Sequence, residues 1–444
     1  LSCTFHVNLY KLTSRGISDT SEPVKVAFHM INSLFEMQMK VNEVQRVLKE
    51  EKFDLLLLAA CVKPALALSY HFKAPVIQIS TFGSFNFNVQ TMGSSWHPLL
   101  YPQAYTQRVY NVTKWEKISA IWKYYKFERI MQEVEEAENE AIKRVFGPNV
   151  PTIKELQNNV DLLFLNIHPL WEGNRPVPPS VVYVGGLHLR PPKELPKDLK
   201  DFLDNSKNGV VYMSLGTNVQ PSLLPAEKIR AIVNVFSKLP YDVLWKWDKD
   251  ELPGRSDNIR ISKWLPQPDL LKHPKIKAFI TQGGLQSSEE GIAAGVPLIG
   301  VPMLGDQWYN AEKYIHHKIG VKVEMETLTE EDLRNAIDTV INDERLVYRR
   351  NIARLRDLMR DGPMKSLDVA VWWTEHTLHH GGAKHLRTPA ANMSWTEYLE
   401  LELVLIILTV LLSLILVLSV LVYQLCTKII FRKKQINSRK LKKQ

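Results

Sequence analysis

The sequence predicts an α/β protein with two doubly wound parallel-sheet domains and one C-terminal transmembrane helix. Three observations carry that expectation. The apolar run 276–280 enters Thr281-Gln282-Gly283-Gly284, a helical pattern follows, and a second apolar run occupies 296–303. Strand, glycine turn, helix and strand make a βαβ unit, which requires a parallel sheet. Upstream, apolar runs at 53–60 and 75–79 enclose a helical stretch at 64–72, the same alternation again. Near the end, 403–423 holds no charged residue, and about 20 apolar residues suffice to cross a hydrocarbon core of ~30 Å.

In chain order, the opening LSCTFHVNLYKL has no initiating Met, no basic n-region and no apolar signal core. This is odd ahead of a membrane anchor, so we read the chain as an N-terminally truncated fragment. Residues 23–50 place Val26, Met30, Leu34, Met37, Val41, Val44 and Leu48 at helical spacing. The stretch 81–108 is irregular and aromatic, with Phe82, Phe85, Phe87, Met92, Trp96, Tyr101 and Tyr105. It either lines an apolar pocket or packs on itself as a surface loop. Residues 113–146 fit one or two amphipathic helices, and 160–166 a strand. Prolines 176, 178, 179, 191, 192 and 196 mark 176–208 as an interdomain linker. The second sheet begins at 209–213 with the small-residue turn Ser214-Leu215-Gly216-Thr217, and adds strands at 241–247 and 258–264. After the 276–307 unit come a helix near 310–317, a strand at 321–323, and helices at 329–342, 345–360 and 364–380.

At 444 residues the chain is long enough for two domains of ordinary size. Formal net charge is +9. Lys428, Arg432, Lys433, Lys434, Arg439, Lys440, Lys442 and Lys443 follow the apolar span with no acid among them, which leaves +1 for everything else. With no globally basic surface, nucleic acid is not an expected partner. The basic flank places the tail in the cytosol and the preceding domains in the lumen. Lys440 and Lys442 resemble a dilysine retrieval signal for the endoplasmic reticulum; the alternative is a plain stop-transfer cluster. Cys3, Cys61 and Cys426 lack metal spacing, and Cys3 and Cys61 either pair or remain free thiols. Asn111-Val112-Thr113 and Asn392-Met393-Ser394 are glycosylation sequons.

The stretch 264–307 resembles the donor-binding signature of UDP-glycosyltransferases, the family that includes UDP-glucuronosyltransferases. Trp264, Pro266-Gln267, His273-Pro274, Gly283-Gly284, Glu290, Pro297, Pro302 and Asp306-Gln307 all sit in register. The resemblance runs from about Phe53 to the membrane segment, through Val184-Gly185-Gly186-Leu187 and Ser214-Leu215-Gly216-Thr217. Gln282, where vertebrate members usually carry His, looks like the insect and baculovirus branch. The resemblance implies a GT-B-like architecture, two Rossmann-like doubly wound domains facing a cleft. Its divisions would be an incomplete N-terminal acceptor-binding domain at 1–175, the linker at 176–208, a UDP-sugar-binding domain at 209–345, helices returning to the N-terminal domain at 346–385, a transmembrane helix at 401–425 and a basic cytosolic tail at 426–444.

A nucleotide sugar needs a partner for each of its parts. Trp264 offers uracil a flat face, with base stacking worth roughly 1–3 kcal/mol. Gln267 would contact the nucleoside and Glu290 the ribose hydroxyls. Gln282, Gly284, Gln286, Ser287 and Ser288 surround a helix start, where unpaired N–H groups favour phosphate. Ser214 and Thr217 add donors from the neighbouring turn. Asp306 and Gln307 would hold the sugar hydroxyls, with Asn310 helping. The UDP-sugar is a co-substrate; no cofactor and no metal are expected.

Catalysis needs a base for the acceptor hydroxyl, normally a His oriented by a carboxylate. The resemblance places that His before Leu1 and the carboxylate at Ala59, so no catalytic residue is assigned. Asp54 reads as structural, and His6, His29, His71 and His97 lack the family context. The expected function is inverting transfer of a hexose, glucose by preference, from UDP-sugar to hydroxyl groups of small lipophilic acceptors. It would be carried out by a detoxifying, single-pass membrane glycoprotein of the endoplasmic reticulum. The alternatives are UDP-glucuronate as donor, or a non-catalytic UDP-sugar-binding membrane partner. A homo- or hetero-oligomer stays open.

Overall fold

The computed structural model describes residues 21–94 and 97–441. Expectations for Cys3, His6, Trp96 and the chain start lie outside these residues. The chain divides into two compact units, Leu1–Ala391 and Asn392–Gln444.

The first unit holds two all-parallel sheets. Strands β1 (Leu56–Ala59), β2 (Val76–Ser80), β3 (Val160–Leu165) and β4 (Val181–Tyr183) lie side by side in chain order. The second sheet has β5 (Val210–Ser214), β6 (Asp242–Lys246), β7 (Ile259–Ser262), β8 (Ile276–Thr281), β9 (Leu298–Gly300) and β10 (Gly320–Lys322), in the order β10-β9-β8-β5-β6-β7. The chain winds outward from β5 to β7, then returns to the other side of β5 and winds outward again. The reversal falls between β5 and β8, whose registers align Ser214 with Thr281. Both strands are buried along nearly their whole length. Strands covered on both faces read as continuous apolar runs, which is why Val210 to Met213 and Ala278 to Ile280 carry no polar alternation. Ile280 is fully buried, and truncating such a residue to Ala costs about 2–5 kcal/mol.

The expected linker 176–208 is more ordered than its prolines suggest. It contributes β4 and a helix, Lys197–Asn205, whose Leu199 and Leu203 enter the main core. Residues 23–50 form two helices, Ser21–Met39 and Asn42–Glu50, broken at Lys40-Val41. Residues 113–146 are one helix, Lys114–Phe146, opened by a reciprocal cap between Thr113 and Glu116 and closed at Gly147. Its Phe127, Met131 and Val134 pack on Phe28 of the Ser21–Met39 helix. Lys63 and Glu138, both buried, pair at 2.9 Å and tie the same helix to the first sheet.

Of the late helices, Val347–Arg360 stays on the C-terminal half. There Arg349 donates to the carbonyls of Ile276 and Lys277, and Arg360 to that of Ala293. Only Ser366–His379 crosses back. Its Ala370, with Ala383 beyond it, covers Ile77, Leu162, Phe164, Val182 and Val184 on one face of the first sheet. Ser366 donates to the Gly185 carbonyl at 2.6 Å, and Asp161 accepts from the amides of Ala383 and Val76.

The second unit is dominated by the helix Leu401–Leu441. Its portion Leu401–Lys433, whose most apolar window has a mean hydropathy of 3.2, is long and apolar enough to cross a membrane. The helix continues past the expected end at 425 into the basic tail.

Candidate active site

In a sheet of this order, ligands bind beyond the carboxyl ends of the strands where the winding reverses. The turns after β5 and β8 meet there and open into a cavity of about 810 Å³ that runs on to the N-terminal half.

The turn after β5 is closed by the Gly216 amide donating to Ser214 Oγ at 3.3 Å. Gly216 has φ +73°, and a Cβ there would collide with Gln282. Thr217 is exposed to the cavity. The turn after β8 places Gly283 at φ +90°, where a Cβ would press on the Gln307 carbonyl. Gly284 then begins the signature helix, Leu285–Ala294. Gln286 and Ser287 face the cavity. Gln282 lines it while nine-tenths buried, and its amide oxygen has no hydrogen-bond partner in the protein. A buried acceptor left unmade is costly, and a ligand hydroxyl would satisfy it.

At the expected nucleoside end, Trp264 is 71% exposed, with its ring open to the cavity and Lys246 Nζ 4.7 Å from the ring centroid. Lys246 also donates to the Gly216 carbonyl at 2.9 Å, which bridges the Trp to the β5 turn. The Gln267 side chain is already occupied. Its Oε1 accepts from Tyr212 Oη at 2.9 Å, and its Nε2 donates to Glu290 at 2.7 Å and to Ser287 Oγ at 3.1 Å. Gln267 therefore acts chiefly by holding Glu290. Burial raises the Glu290 carboxyl above its ordinary range, and the Gln267 hydrogen bond opposes that shift.

At the expected sugar end, Asp306 Oδ2 accepts from the Leu285 amide at 2.9 Å and from Asn310 Nδ2 at 2.8 Å. Burial pushes the Asp306 carboxyl up to about 6. Gln307 Oε1 accepts from the amides of Met303 and Leu304, which folds the loop and leaves the amide nitrogen as its remaining donor.

Two expected contacts turn inward. Ser288 is fully buried; its hydroxyl donates to the Gly284 carbonyl and meets Tyr314 Oη at 2.5 Å. Asn310 is also buried and spends its amide on Trp171, Gly283 and Asp306. Neither lines the cavity. For Ser288 helix phase is the reason: Leu285, Ser288, Glu289 and Ile292 share the i, i+3, i+4, i+7 face whose residues are buried.

Lys246 is not among the expected ligands, although it closes β6 at the same edge as the glycine turns, where strand ends gather ligands. The far end of the cavity is apolar. Phe28 and Ile31 come from the Ser21–Met39 helix, and Phe82, Phe85 and Tyr105 from the aromatic stretch. The pocket-lining alternative for 81–108 therefore holds for these residues. Ala59 stands at the end of β1 beside Cys61 and Thr81. His71 bonds the Leu48 carbonyl, and His97 accepts from the amides of Leu99 and Leu100. Neither reaches the cavity. Among the described residues, no cluster of His, Cys, Asp and Glu is arranged to hold a metal ion.

Two parallel sheets with an aromatic ring, two glycine turns and carboxylates gathered at one switch point are the architecture of GT-B glycosyltransferases. The family described as UDP-glucoronosyl and UDP-glucosyl transferase matches residues 3–438, and the chain belongs to it. It is 38% identical over 406 residues to the ecdysteroid UDP-glucosyltransferase of Spodoptera littoralis nuclear polyhedrosis virus, covering 88% of this chain and 78% of that one. It is 34% identical over 371 residues to UDP-glucuronosyltransferase 2B17 of Homo sapiens, covering 82% and 68%. Among solved structures, a UDP-glucose: anthocyanidin 3-O-glucosyltransferase in complex with UDP superposes with a TM-score of 0.55 at 15% identity, covering 82% of this chain and 83% of that one.

Proposed function

We propose that this UDP-glycosyltransferase moves glucose from UDP-glucose to a hydroxyl of a small lipophilic acceptor, with inversion at the anomeric carbon. The observation that carries the proposal is the continuity of one cavity from Trp264 and Glu290 to Phe28 and Phe85. A polar nucleotide end and an apolar acceptor end thus share a single space. The acceptor oxygen attacks the anomeric carbon from the side away from UDP. The new C–O bond forms as the bond to the phosphate oxygen breaks, the proton passes to a base, and UDP leaves. The start of the signature helix and the β5 turn would receive the growing phosphate charge.

Glucose is favoured over glucuronate by charge. Among the described residues, the cations lining the cavity are Arg190 and Lys246. Arg190 is held by Asp269 at 2.8 Å and Lys246 by Gly216 and Trp264. The sugar end presents Asp306, Gln307 and Gln282, which suit neutral hydroxyls and oppose a carboxylate. The name of the viral relative, an ecdysteroid UDP-glucosyltransferase, agrees.

A second reading, a UDP-sugar-binding partner without turnover, rests on Ala59 in place of the family's acid. Transfer rates with UDP-glucose and UDP-glucuronate on a phenolic acceptor, beside calorimetric binding of both donors, separate these readings. Preference for the glucuronate overturns the donor assignment. Tight UDP-glucose binding without transfer favours the second reading.

The proposed location is the endoplasmic reticulum membrane, single-pass, with the catalytic domains luminal and the basic tail cytosolic. Asn111, exposed just before the long helix, would then be available for glycosylation. Protease added to sealed microsomes should remove only the tail; digestion of the donor domain reverses the topology.

A further inference from the structure

We propose that Trp171 is a positioning residue through which the N-terminal half sets the sugar-binding carboxylate of Asp306. The inference rests on the donor reading above.

Trp171 lies in the short helix Pro169–Glu172 that follows β3, and it is completely buried. Its contacts, however, lie on the other domain. The indole N–H donates to Asn310 Oδ1 at 2.9 Å. The ring stacks on His317 at 5.8 Å and tilts against Tyr314 at 6.2 Å, and Lys313 Nζ sits 5.4 Å from its centroid. Residues 310, 313, 314 and 317 follow i, i+3, i+4, i+7, one face along the helix Gln307–His316 and the residue that ends it. Trp171 therefore grips one face of the helix that Asp306 precedes, and Tyr110 stacks on His316 of the same helix at 3.8 Å.

The grip is passed on by hydrogen bonds. Asn310 donates from Nδ2 to Asp306 Oδ2 at 2.8 Å and to the Gly283 carbonyl at 2.9 Å. The same Asp306 oxygen accepts from the Leu285 amide. Asn310 Oδ1 has the indole as its donor, so losing the indole N–H leaves a buried acceptor unmade and frees the amide to turn. The side-chain contacts at the uridine end do not pass through Trp171. Trp264, Gln267 and Glu290 are held by Lys246, Tyr212 and Ser287, all within the C-terminal half. Contact through Trp171 thus bears on the sugar end of the donor and not on its base.

The test is isothermal titration of the full chain with UDP and with UDP-glucose. Trp171→Phe should leave UDP affinity within about twofold and weaken UDP-glucose about tenfold, the size of one buried hydrogen bond. Asn310→Ala, which lies within the C-terminal half, should give the same selective loss and serves if the Trp variant does not fold. In an Asp306→Asn background, Trp171→Phe should add nothing further to the ratio of the two affinities, since residues in one network are not additive. Equal weakening of UDP and UDP-glucose, or losses that add in the double variant, would assign Trp171 to packing alone and overturn the inference. Wild-type protein that binds neither ligand would instead sink the donor reading itself, and this inference with it.

Discussion

The donor end of the cleft rests on the carboxyl edge of a six-stranded sheet, where two tight turns, a helix start and the end of β6 converge. The acceptor end rests on side chains from one helix and one irregular stretch, with the four-stranded sheet behind them. The donor end is fixed by backbone geometry: Gly216 and Gly283 sit at positive φ, and a Cβ at either would meet a neighbour. The acceptor end is fixed by interlocking rings, with Phe85 and Phe87 stacked at 5.2 Å and Phe28 edge-on to both. A site defined by backbone keeps its ligand when surface side chains change. A site defined by rings changes its ligand with them.

The largest expected effect breaks the donor end alone. Trp264→Ala should weaken UDP by roughly 5- to 150-fold, matching ~1–3 kcal/mol of base stacking. Calorimetry would measure it, and the KM for a phenolic acceptor should stay put. A comparable rise in acceptor KM would mean the two ends are not independent. The converse variant, Phe85→Ala, should raise acceptor KM on the order of tenfold through lost apolar contact, with UDP affinity unchanged by titration.

A smaller effect sharpens the sugar end. Burial holds the Asp306 carboxyl near 6, so below that pH it protonates and loses acceptor strength. Affinity for UDP-glucose relative to UDP should fall as pH drops through about 6; a flat ratio from pH 5 to 8 would exclude Asp306 as a sugar ligand.

The smallest effect concerns the seam between the halves. Glu289 is buried beside His188, 3.6 Å away, and burial pushes its carboxyl up to about 8 while lowering the His188 imidazole. The pair is therefore neutral at pH 7. A raised carboxyl pKa means the folded state binds more protons than the unfolded chain between about 4.5 and 8, so stability declines as pH rises through that window. Glu289→Gln should flatten that decline and leave Tm a few degrees higher than wild type at pH 9, ~2–4 °C per kcal/mol regained. Thermal melts at pH 6 and 9 check it, and parallel slopes for the two proteins would disprove it.

What the sequence disclosed follows the same division. The donor end depends on local order: apolar runs, paired glycines and a helix pattern lie within a few dozen residues, so β8, its turn and the signature helix were readable. The inward side of that helix was readable too, since Leu285, Ser288, Glu289 and Ile292 already show its phase; counting it would have removed Ser288 from the ligand set. Trp171 carried no such mark, because its meaning depends on residues 139 positions later in the chain. The order hidden in 176–208 was masked by prolines that merely flank β4 and the Lys197–Asn205 helix.

The returning helix has a consequence for biosynthesis. The face of the first sheet formed by Ile77, Leu162, Phe164, Val182 and Val184 is covered by Ala370 and Ala383. A growing chain places those strands outside the ribosome some two hundred residues before their cover is made. Domains generally fold as they emerge, N-terminal first, yet here the half that is synthesised first is completed last. Until residues 366–383 arrive, five apolar side chains face water or whatever holds the nascent chain. The apolar span 403–423 follows almost at once, so the closing of this domain and the emergence of the apolar helix belong to the same late moment of synthesis.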